Sequence, residues 1–246
     1  MVKKNSWQEL TPAIISAVVL GFVFGFNDKK EVFNTSYWLQ NLVQYILISL
    51  IFIIIFIRIT KWYSEKNGVT VKFNIWKIDR MGFEKSSRKK GIPVGIILPL
   101  LIAFMSYGKI FFSAVLMPEY ESTKHSRFGK KFEMPTEGEL GLISVIGPLT
   151  LALIGILLTA SDIARISNLS LIPFSIAFSS MLPISRLNGT TAFFYSPTIY
   201  IFSITMIVLA YYLTKFTSPI GSIVFALLFS ILVASAFYIK SFIITK

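Results

Sequence analysis

The sequence predicts an all-α polytopic membrane protein with about six to seven transmembrane helices and a small membrane-associated β element. Three observations carry that expectation. Of 246 residues, 54% are hydrophobic and only 15% charged, and the mean hydropathy is +0.69, outside the balance of ordinary water-soluble domains. The apolar runs extend from residue 11 to residue 245 and leave no space for a large aqueous lobe, so the whole chain, 1–246, reads as a single membrane domain. One short segment between the runs alternates apolar and polar residues with period two, the pattern of a half-buried strand.

A crossing needs about 20 mostly apolar residues. Seven runs approach that length: 11–26, 37–59, 92–117, 140–160, 169–184, 193–213 and 219–239. The first follows Lys3 and Lys4 as a signal peptide would, but Phe26-Asn27-Asp28 offers no small-residue cleavage site, so it reads as a retained helix. After the second run, Val69-Thr70-Val71-Lys72-Phe73-Asn74-Ile75 reads as a strand, because branched and aromatic residues alternate with polar ones. A lone strand needs a partner, and Phe111 to Met117 has the composition to supply it. The third run then divides at Tyr107-Gly108-Lys109 into a half-helix and a re-entrant extended segment. Such backbone is tolerated at membrane depth only inside protein or along a wet cavity.

The net charge of +12 is explained by loops at a membrane surface, with no need for nucleic acid. Ten of the basic residues fall between Arg58 and Lys90, which places the loop 60–91 in the cytoplasm of a multi-pass protein of the cell membrane. There is no cysteine and the one histidine is His125. That inventory excludes disulfides and thiolate chemistry and is hostile to zinc, so no cofactor is expected.

Three interruptions of the apolar runs stand out, each with a packing explanation beside a functional one. Gly147-Pro148-Leu149-Thr150 is compatible with a kink or close helix packing, and Leu182 to Gly189 with a helix stop and turn. Lys109 is an ionisable group in an apolar region, a functional candidate unless it snorkels to the headgroups.

Taken in order, these pieces resemble the site-2 protease family of intramembrane zinc metalloproteases, especially its compact archaeal members. The resemblance runs over most of residues 5 to 200: Lys61, then Glu65-Lys66-Asn67-Gly68 leading into the strand from Val69, then Gly141 with Gly147-Pro148-Leu149-Thr150, then Met181-Leu182-Pro183-Ile184-Ser185-Arg186-Leu187-Asn188-Gly189. It implies a zinc site built from a His-Glu-x-x-His helix end and the aspartate of a Leu-Asp-Gly turn. Here the first motif is replaced by Phe56-Ile57-Arg58-Ile59-Thr60 and the aspartate by Asn188. Both imidazoles and the water-activating glutamate are gone at Phe56, Ile57 and Thr60, and Arg58 sets a positive charge where a dication would sit. The resemblance therefore implies a pseudoprotease, not an enzyme.

Three roles follow as expectations. The first is a non-catalytic protein that binds or scaffolds a membrane protein partner, with Val69, Val71, Phe73 and Ile75 as a peptide-binding strand. The second is an accessory structural subunit of a larger membrane complex. The third, ranked last, is a transporter, because ionisable companions for Lys109 are few. Arg58, Lys109 and Asn188 form the expected polar cluster, since an unpaired charge at the end of an apolar helix is costly.

Overall fold

The computed structural model describes residues 6–27, 34–78, 91–122, 137–161 and 169–244. Among the described residues the chain is mostly helical with one two-stranded sheet. In chain order its elements are α1 (Ser6–Gly25), α2 (Thr35–Lys66), β1 (Val69–Ile75), α3 (Val94–Met105), β2 (Leu116–Ser122), α4 (Glu137–Thr159), α5 (Leu171–Ser180), α6 (Asn188–Tyr195), α7 (Pro197–Leu213) and α8 (Pro219–Ile244). Three of these helices are long and apolar enough to cross a membrane, over Thr35–Lys66, Gly138–Thr159 and Pro219–Ser241. The remaining expected spans form shorter apolar helices, over Leu10–Gly25, Val94–Met105, Leu171–Ser180 and Pro197–Leu213.

The chain divides into two compact units, each made of two stretches of sequence. The first comprises 1–55 and 72–119. Its α1 carries Gly21 and Gly25 four residues apart, and a Cβ on Gly21 would lie 2.7 Å from the Ile46 Cα, one on Gly25 3.0 Å from the Leu42 Cα. The missing side chains let the α1 and α2 backbones approach closely, a packing mode that needs no aqueous driving force. The carbonyls left open at the end of α1 are met from α2: Trp38 Nε1 donates to Phe26 O at 3.1 Å and Asn41 Nδ2 to Gly25 O at 3.1 Å.

In the same unit α3 stops after 12 residues, about 18 Å of helix. Tyr107 and Gly108 then take φ of 52° and 68°, a left-handed pair that turns the chain out of the helix. Residues 110–115 run on without helix. The division of the third run is thus present, but the paired strand begins only at Leu116, at the far end of the segment expected to form it. Trp76 N–H donates to Val115 O at 2.8 Å and Gly95 N–H to Trp76 O at 2.9 Å. The end of β1 therefore lies beside the start of β2, which makes the pair antiparallel. Trp76 is buried beneath this crossing, where a Cβ on Gly95 would sit 2.9 Å from its own Cβ.

The second unit comprises 56–71 and 120–246 and is organised around α4, which packs against α5, α6, α7 and α8. A Cβ on Gly155 would fall 2.7 Å from the Phe174 ring, so the glycine gives α5 its seat on α4. Ser222, Ala226, Ser230 and Ala234 lie buried at four-residue intervals along α8, and Ser203, Ile207 and Ala210 lie buried along α7. Small residues on such a stripe allow α7 and α8, which share an extensive contact, to lie close together.

Two boundaries depart from the sequence reading. α2 continues beyond Ile59 to Lys66, because hydrogen bonding along a helix does not stop where apolarity does. The run 193–213 is two helices: Ser196 is extended, with φ −157° and ψ 90°, and its hydroxyl accepts from Ile199 N–H as Pro197 opens α7. The clash of a proline ring with the residue before it disfavours helix there, so the proline ends one helix and starts another.

Candidate functional site

The residues singled out by sequence meet chiefly around α4 in the second unit. At the end of α2, Phe56 and Thr60 are buried, Ile57 is half-buried and Arg58 is exposed. The spacing explains the split, since positions four apart share a face while the second of them points away. Thr60 Oγ1 donates to Phe56 O at 2.8 Å, so its hydroxyl is spent on its own helix.

Gly147 of α4 lies directly against this pair. A Cβ there would come within 2.8 and 2.9 Å of Phe56 ring carbons and would collide with Thr60 Oγ1. The glycine thus accommodates an aromatic ring and a threonine at two of the positions where the resemblance implies zinc ligands.

α6 packs on the same helix and begins at Asn188, which is 2% exposed. The Asn188 Nδ2 has no hydrogen-bond partner among the described residues. A buried amide donor without an acceptor costs about 1–3 kcal/mol, so it marks a place where an acceptor would be welcome. The loop before it folds tightly. Arg186 adopts φ 67°, the Thr190 hydroxyl donates to Ile184 O, and a Cβ on Gly189 would collide with the Met181 carbonyl and lie 2.6 Å from Leu182 O. Only glycine fits at position 189, in the first turn of α6. No hydrogen bond joins Arg58 to Asn188 among the described residues; the Arg58 side chain is exposed and that of Asn188 is enclosed. Lys109, in the first unit, is exposed as well.

A residue that sequence reasoning missed sits beside α6. The Tyr120 hydroxyl, at the tail of β2, is buried next to Thr191 without a hydrogen bond of good geometry. Burial pushes its pKa above the ordinary 10.0, the Thr191 hydroxyl opposes that shift, and the neighbouring Tyr195 adds to it. Pro118-Glu119-Tyr120-Glu121 reads as a polar loop, and only the fold reveals that the phenol turns inward.

In β1 the side chains of Val69, Val71, Phe73 and Ile75 are all buried, while Thr70, Lys72 and Asn74 are half-buried. The four expected binding residues belong to the core face. What β1 offers a partner is its main chain, since the strand order β1-β2 leaves its other edge without a strand among the described residues. Asn74 Nδ2 donates to Glu119 Oε2 at 2.8 Å across the pair.

No group of three or more His, Asp or Glu side chains that could hold a metal ion occurs among the described residues. His125 and the heart of the basic loop, 79–90, lie outside them. No protein-family model, curated protein or solved structure matches the chain.

Proposed function

We propose that this chain is a non-catalytic, site-2-protease-like integral membrane protein that holds a segment of a membrane protein partner. The observation that carries the reading is the packing of Gly147 on Phe56 and Thr60. The glycine of Gly147-Pro148-Leu149-Thr150 lies against two of the positions where the resemblance implies zinc ligands, and those positions hold a phenyl ring and a hydroxyl in place of the imidazoles that zinc ordinarily takes. The Asn188 Nδ2, without a partner among the described residues, stands where the resemblance implies the third ligand, and its demand is for a hydrogen-bond acceptor. Three helices of crossing length support residence in a membrane. The shorter apolar helices complete six or seven crossings in this reading, with the loop 60–91 in the cytoplasm.

The partner segment lies extended along the outer edge of β1, where main-chain groups supply affinity. A photo-reactive residue at Thr70, whose side chain is half-buried, tests this in native membranes. The expected result is a discrete cross-linked membrane protein that is lost when a proline replaces Lys72. Cross-links to lipid alone overturn the binding role.

A second reading, an accessory subunit of a larger complex, is favoured by the broadly exposed apolar surface of α8, including Leu228, Phe229, Leu232 and Ile239. Mild detergent extraction and native sizing separate the two: a stable large assembly supports the subunit role.

A further inference from the structure

Arg58, Trp62 and Lys66 follow one another at four-residue intervals over the last turns of α2, so they lie along one face. All three are exposed, Trp62 at 58%. The Lys66 Nζ stands 3.7 Å above the centre of the Trp62 ring, within the range of a cation–π contact. Arg58 makes no hydrogen bond or ion pair with any described residue. Towards the middle of the helix the exposed residues become purely apolar: Ile54, Ile51 and Leu47. A face that passes from aliphatic through arginine and tryptophan to lysine has the polarity profile of a bilayer boundary.

We infer that this face binds the headgroup of an anionic phospholipid. The inference rests on the reading that α2 spans a bilayer. Trp62 then marks the headgroup level, Arg58 lies about 6 Å deeper and Lys66 about 6 Å further out. A helical side chain leans towards the N-terminus, so the Arg58 stem sets out towards the hydrocarbon, where an unpaired guanidinium is costly. A phosphate drawn to that depth resolves the cost, because the planar guanidinium matches two phosphate oxygens at once. Lys66, held over the indole, supplies the second positive charge at the outer side.

Charge favours a lipid over a partner's carboxylate. The same turns hold one acid, Glu65, which follows Lys61 by four residues on the flanking face, and the chain as a whole carries +12. A lipid surface of negative potential answers several cations together, with each near the surface worth about a fivefold gain in occupancy.

The test uses the full-length protein in bilayers containing brominated phosphatidylglycerol or brominated phosphatidylcholine, with bromine placed just below the headgroup. The signal is the tryptophan quenching that disappears in Trp62→Phe. Quenching of Trp62 should be stronger in the anionic lipid, and Arg58→Gln and Lys66→Gln should each weaken that preference about fivefold. Lys66 ends the helix and is exposed, so its substitution leaves the fold intact. Equal quenching by both lipids, or a preference unchanged in both variants, overturns the headgroup site while leaving α2 in the bilayer. Absence of Trp62 quenching in either lipid, with the protein extractable by alkaline carbonate, overturns the spanning reading itself. Loss of a specific protein cross-link in Arg58→Gln, with lipid preference intact, assigns the face to an acidic protein and also overturns the inference.

Discussion

Replacing Gly147 with alanine tests the packing on which the functional reading depends. The new methyl would sit 2.8 and 2.9 Å from carbons of the Phe56 ring, about 1 Å inside a normal carbon contact. Forcing a group into a packed interior costs about 1–3 kcal/mol. Alanine returns about 0.8–1.0 kcal/mol of helix propensity over glycine, so the net loss should be about 1 kcal/mol. Gly138, in the first turn of the same helix, is the control, since a Cβ there meets nothing within 4 Å. The difference between the two alanine variants removes most of the propensity contribution and leaves the clash, about 1–3 kcal/mol. Thermal unfolding of the purified protein in one detergent should place Gly147→Ala below wild type and Gly138→Ala at or above it. Adding Phe56→Leu to Gly147→Ala should recover part of the loss, with a coupling of at least about 0.5 kcal/mol. If the two alanine variants unfold alike, α4 does not seat on Phe56 and the reasoning fails.

Other outcomes follow from single groups. Ser203 is fully buried on α7 and its hydroxyl has no partner among the described residues, so Ser203→Ala should leave the unfolding midpoint unchanged or raise it, by up to about 1 kcal/mol of stability; a loss shows that the hydroxyl is bonded. Tyr120 is a neutral buried phenol with a raised pKa. The unfolded chain releases its proton near pH 10 and the folded chain only above that, so this stability is complete below about pH 10 and drains away as pH rises towards the folded value. Tyr120→Phe should flatten the alkaline loss of stability, and an unchanged slope contradicts the burial argument. Elemental analysis after gentle purification should find less than one zinc per chain; stoichiometric zinc that survives a weak chelator returns the protein to the enzymes.

The sequence was most informative where one physical demand acted alone. Val69–Ile75 shows its strand in period two because one face is core and the other is not. Tyr107-Gly108 announces the end of α3 because glycine is the residue that takes a positive φ readily. It was least informative where tertiary contacts overrode composition. β2 carries Pro118, Glu119 and Glu121, residues that strands tend to avoid, and its position follows from the crossing of Trp76 with Val115. The apolar segment before it was the better strand by propensity. At the site, the interruptions at Gly147 and Gly189 are legible in the sequence as a kink or close packing and as a helix stop, and the fold makes both of them close approaches, whereas Asn188 and Tyr120 acquire their unsatisfied donors only from the surfaces that close over them. Arg58 was expected inward because charge avoids lipid, yet its helical phase turns it outward.

The short α3 has a consequence for biogenesis. An insertion machine that partitions segments by hydrophobicity retains a helix of about 20 residues unaided, but a 12-residue helix followed by non-helical backbone is accepted by lipid only once protein satisfies the polar groups of that backbone. In a bilayer such a segment enters late, as a passenger on structure already in place, and α1, against which α3 packs, is its berth. Synthesis order suits this, because α1 and α2 leave the ribosome first. A chain lacking α1 would then stall at α3 in the aqueous phase and be recognised there as unfinished, well before any defect arose in the helices that follow.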